Sequence, residues 1–149
     1  MIAITLAWPA MAASTPSDHD ASGMYTFVQE GEFVQITVET EAGHKPVVTG
    51  FVSRYGQDES DKGLFLDQFF SKAALLGDDL TFTTKPVHGI WFEFKGKIAF
   101  DQQKKPGEQG YLRITGILTQ YTTGPDNQSH AKSRDIVFSS FPRDDDAAS

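Results

Sequence analysis

Four histidines, His19, His44, His88 and His130, are the side chains best suited to proton transfer or metal binding near neutral pH. No two of them fall at an H-x-x-x-H or H-E-x-x-H spacing, so a zinc site lacks its usual ligands. The chain has no cysteine, which excludes disulfides, thiolate metal sites and a Cys nucleophile. No G-x-S-x-G elbow, G-x-G-x-x-G loop or Walker A motif is present, so serine hydrolysis and nucleotide binding have no handle. Asp67 and Glu93 could act as a carboxylate pair on a sugar, but nothing local brings them together. The acidic loop "QDESDKG" fails as an EF-hand. Counting from Asp58, the third ligand falls on Lys62 and the twelfth position on Phe69; a looser calcium loop would have to use Asp58, Glu59 and Asp61. Asn127 opens an N-x-S sequon that matters only in a glycosylating host. The reading is no catalytic residue, no metal and no cofactor. Enzymatic activity, as a hydrolase of unknown substrate, is a third expectation after the two functions given below.

Those side chains need elements to hold them. With 149 residues the chain has the length of one domain and can bury one core. Its net charge of −7 repels phosphate backbones and anionic lipid, which argues against nucleic-acid binding. "MIAITLAWPAMAAS" has the apolar run and A-x-A site of a secretory signal peptide without its basic start. It is far shorter than the roughly 20 apolar residues of a membrane span. Residues 1–12 are therefore expected to be a signal-peptide remnant, 13–22 a disordered leader, 23–142 one β-barrel domain and 143–149 a disordered tail. The mature protein would be secreted or periplasmic, with no integral membrane segment.

Period-two patterning and turn residues predict strands at 24–29, 33–40, 47–55, 80–85, 90–100, 111–121 and 131–141. "LFLDQFFSKAALL" shows no clean period, so a short helix or irregular segment is expected near 64–72, with a strand from about Ser71. About eight strands in sequence suggest an all-β, antiparallel up-and-down barrel, with a β-sandwich as the alternative.

Charge and glycine suggest a register for the last strands. Facing Phe100 with Leu112 sets Gly96 against Gly116, Phe94 against Leu118 and Trp91 against Tyr121. A register two residues tighter would oppose Lys97 and Arg113. Facing Leu118 with Ile136 would then lay Phe138 over Gly116. Trp91, Ile117, Tyr121 and Val137 gather on the opposite side from Phe92 and Phe94, as a second apolar cluster.

"SGMYTF" resembles the G-x-W start of the first strand in calycins, the lipocalin and avidin superfamily, with Tyr25 where Trp is usual. "VVTGFVSRY" is similar to the third avidin-type strand. The resemblance implies an up-and-down barrel with a ligand at its open end, and it carries over no pocket residue. A closer likeness is to exported bacterial proteins without an assigned activity. Two functions follow. In the first, the interior binds a small, largely apolar molecule, with Tyr25, His88, Phe92 and Phe94 near the mouth. In the second, the chain is a non-enzymatic interaction module, self-associating or binding a partner through Trp91, Ile117, Tyr121 and Val137.

Overall fold

In the computed structural model, which describes residues 20–26, 32–56 and 59–142, every regular element is a strand. They are β1 (Gly23–Thr26), β2 (Phe33–Glu39), β3 (Val47–Tyr55), β4 (Phe65–Leu76), β5 (Asp79–Thr84), β6 (Ile90–Phe100), β7 (Leu112–Thr123) and β8 (Ser129–Ser139). Each pairs antiparallel with the next, giving one sheet in the order β1 to β8 rather than two facing sheets. The sheet curls into a partly closed barrel. Its edges meet where Tyr25 bridges Ser140 and the Phe141 N–H donates to the Met24 carbonyl at 2.9 Å.

Alternation dictates the inside. Val34, Ile36, Val52, Leu80, Phe82, Phe92, Phe94, Ile114, Leu118 and Phe138 all point inward and are buried. A line of rings crosses the interior: Phe70 stacks on Phe82 at 4.4 Å, Phe82 on Phe94 at 5.2 Å, and Phe138 meets Phe94 edge-on at 5.2 Å. The first half of β8, Ser129 to Asp135, is exposed on both sides. There Lys132 and Arg134 share the inward parity of Ile136 and Phe138, and inward charges on an edge strand discourage pairing with foreign strands.

The segment expected to be helical or irregular near 64–72 is the start of β4. Leu66, Gln68 and Phe70 turn inward, then the pairing with β5 skips Ser71 and the inward set resumes at Ala73 and Leu75. That bulge reverses the parity within one strand, which erased the period-two signal.

Gly96 faces Gly116, Phe94 faces Leu118 and Trp91 faces Tyr121, so the register expected for β6 and β7 is present throughout. That expected for β7 and β8 is two residues off. Gly116 faces Ile136, Ile114 faces Phe138 and Leu118 faces Arg134. The hairpin loop sets this offset, because the Gly124 N–H donates to the Gln128 carbonyl at 2.9 Å and centres the turn on Asp126. Of the facing pair Gly96 and Gly116, Gly96 is the one that lies under a ring: a Cβ there would run into Phe94 and the Thr115 carbonyl.

The signal-peptide remnant, most of the leader and the tail lie outside the described residues. The leader's last residues are tied to the barrel. The Tyr25 hydroxyl donates to the Ala21 carbonyl at 2.6 Å, and the Val38 N–H donates to Ser22 Oγ at 2.8 Å. Among the described residues no helix is long and apolar enough to cross a membrane.

Candidate interaction surface

Three of the four residues expected to line a ligand pocket are core residues. Tyr25, Phe92 and Phe94 are at most 2% exposed and packed among their neighbours. His88 stands apart from them at one end of the barrel, in the two-residue turn between Val87 and Ile90. Both turn residues have positive φ, 51° at His88 and 74° at Gly89, as a tight hairpin of this twist requires.

A polar cluster anchors this turn. Arg54 and Gln68 are buried on the inward parity of β3 and β4. Arg54 donates through Nε to Gln68 Oε1, through Nη1 to the Tyr55 carbonyl at 3.2 Å and through Nη2 to the Val87 carbonyl at 3.3 Å. The Gln68 amide donates to the carbonyls of Lys85 at 3.1 Å and Ile90 at 2.7 Å. Asp61 turns in from the acidic loop, its side chain 4% exposed, and lies 2.6 Å from His88 Nδ1. No buried side-chain polar atom lacks a partner among the described residues. The cluster therefore plugs the end of the barrel. It makes Asp61 a structural anchor of its loop rather than an outward cation ligand.

The outside differs. Trp91 and Tyr121 stack at 5.2 Å with an interplanar angle of 6°. Ile117 and Val137 are 51% and 52% exposed, on neighbouring strands and diagonal to one another. The row Glu93, Thr119, Ser133 runs between the two pairs, and Thr119 and Ser133 hydrogen-bond at 2.8 Å. The four residues share a side of the sheet, but a polar row divides them. A depression of about 270 Å³ lies beside them, lined by Lys72, Ala74, Thr81, Thr83, Glu93 and Lys95, with inward-pointing Ala73, Phe82 and Phe94.

The Tyr121 hydroxyl donates to Glu93 Oε2 at 3.3 Å. The Glu93 charge, followed by partial desolvation and that hydrogen bond, raises the phenol above its ordinary value of 10.0. The folded chain thus holds this proton more tightly than the unfolded chain. Its contribution to stability is present below the ordinary value and is lost as pH rises through the raised one. Glu93→Gln is expected to move the Tyr121 titration down, read from its ring signals across an alkaline NMR series; an unmoved titration would remove Glu93 as the cause.

An outward aromatic group on β2 to β4, the most extensive among the described residues, was not expected from the sequence. Phe51 contacts Phe33 at 5.8 Å and Phe69 at 5.4 Å, and Tyr55 contacts Phe65 at 4.3 Å. Phe65 and Phe69 are 51% and 55% exposed. Between them on β4 stands Asp67, opposite Ser53 on β3. The signal that could have found this group is adjacency. Phe33 precedes the inward Val34 and Phe51 the inward Val52, so both rings must face out.

Comparison with protein families, curated proteins and solved structures found no match to this chain.

Proposed function

We propose that this chain is a non-enzymatic interaction module that engages a partner protein through the outside of its curled sheet. One contrast carries the reading: the interior is filled by its own side chains, while Phe65, Phe69, Ile117 and Val137 are about half exposed outside. Apolar groups grouped on a surface are usually there to be covered by something. An apolar ligand inside would have to displace Phe92 or Phe94, and the outer depression is smaller than the roughly 300 Å³ at which small-molecule sites begin. An up-and-down meander is shared by calycins and by other barrels, so that resemblance brings no ligand with it. The export expected from the first residues would place the partner outside the cytoplasm.

Hydroxyl-radical footprinting tests the reading, on the purified protein and on the same protein in an extract of its own compartment. Protection of Phe65 and Phe69 in the extract, with Phe92 and Phe94 silent in both, is expected. No protection outside, together with a small molecule retained in native mass spectrometry, would overturn it in favour of an interior ligand.

A further inference from the structure

We propose that the outer surface of β2 to β4 receives an arginine side chain carried by a partner polypeptide, with Asp67 as the carboxylate that pairs it. The proposal rests on the outer-surface reading above and adds the chemistry of the partner. Along β4 the outward side chains are Phe65, Asp67 and Phe69 in succession, so the carboxylate has a half-exposed ring on either side. Across the sheet it faces Ser53, with Phe51 and Tyr55 at the two diagonal positions on the same side. Ser53 is itself buried, covered by this ring of neighbours.

Asp67 takes no part in the ion pairs His88–Asp61, Lys95–Glu93 and Lys97–Asp79. Lys85, whose N–H donates to the Phe69 carbonyl at 2.8 Å, shares this side by parity but forms none of these ion pairs. A carboxylate set among apolar rings sheds water as anything apolar docks beside it, and that loss is costly unless the arriving group brings a positive charge. Ring faces are electron-rich and attract cations as well. The net charge of −7 pulls in the same direction at longer range.

Guanidinium suits the site better than ammonium. Its plane can lie on a phenyl face while its edge forks onto a carboxylate, which a point-like ammonium cannot do. The rings are tilted by 48° between Phe51 and Phe69 and by 68° between Phe33 and Phe51, and they spread over three strands. That makes an open slab for a side chain on an extended segment, unlike the closed cage that suits a quaternary ammonium. A second copy of this chain is disfavoured, because two such surfaces would bring like charges together.

The test uses a peptide with arginine between two leucines and its citrulline counterpart, which keeps the shape and loses the charge. Each is titrated by NMR into the full chain, its Asp67→Asn variant and its Phe69→Ala variant. Shifts centred on Phe51, Phe65, Asp67 and Phe69 are expected with arginine, weakened roughly tenfold by citrulline or by Asp67→Asn. Equal affinity for citrulline, an absence of binding, or equally effective displacement by tetramethylammonium would overturn the proposal. Asp67 is exposed, so its amide variant should fold; an unchanged spectrum elsewhere checks this. Footprint protection of Phe65 and Phe69 without arginine preference would leave the interaction module standing and remove only this proposal.

Discussion

Phe94→Ala is expected to lower the free energy of unfolding by about 3–5 kcal/mol, the range for deleting a buried phenyl ring. Phe94 has no exposed surface, stacks on Phe82 and takes the edge of Phe138. Its ring also covers Gly96, which has no side chain of its own to fill the space. The surrounding strands are fixed by backbone pairing on both sides, so little collapse into the vacated volume is available. Urea unfolding checks the value, with an unchanged m showing that the same surface is being exposed. The result also bears on function. In a hollow barrel Phe94 would line a cavity, and trimming it would forfeit few contacts. A loss below about 1.5 kcal/mol would therefore favour an interior that takes a ligand. The full loss fits a filled interior and leaves the outside as the working surface.

What the residues reveal in advance follows from where alternation is uninterrupted. β6 and β7 keep one parity from end to end, and the Lys97–Arg113 clash selects one register, so every facing pair between them was readable. β8 was readable as a strand but not in register, because a five-residue loop can close around more than one centre and its hydrogen bonds decide which. In β4 the bulge at Ser71 swaps the inward set from even to odd numbers, and a segment of mixed parity looks helical or irregular. The same swap concealed Phe65 and Phe69 as outward residues. Gln68 and Arg54 were concealed differently. Polar residues on an inward parity look like breaks in a strand pattern, and only contact with the 85–90 hairpin explains them. Trp91 lies on the reverse side from Phe92 as alternation requires, and the β6–β7 register already fixes its separation from Ile117; only the place of Val137 depends on the β8 register.

Arg54→Leu should cost about 3 kcal/mol or more, through orphaned acceptors rather than lost apolar packing, since leucine restores much of the buried stem. The guanidinium serves Gln68 Oε1 and the carbonyls of Tyr55 and Val87. Each acceptor left dry costs about 1–3 kcal/mol, with water that enters the end of the barrel reducing the total. Arg54→Lys keeps the charge but loses the fork and cannot reach all three directions, so it should fall between wild type and Arg54→Leu. Gln68→Leu should also destabilise, because its amide holds the carbonyls of Lys85 and Ile90. The two changes share the Nε–Oε1 bond. Together they should cost less than the sum by about 0.5–3 kcal/mol, since removing Gln68 also removes an acceptor that Arg54→Leu had orphaned. A double-mutant cycle in urea measures this coupling, and strict additivity would show that the two side chains act independently. Amide exchange supplies a local readout. The Val87 and Ile90 amides close the hairpin on each other's carbonyls at 2.9 and 3.1 Å, and both variants should speed their exchange before that of β6 and β7. Uniform acceleration across the sheet would instead mean that Arg54 stabilises the whole barrel and does not fasten this one hairpin.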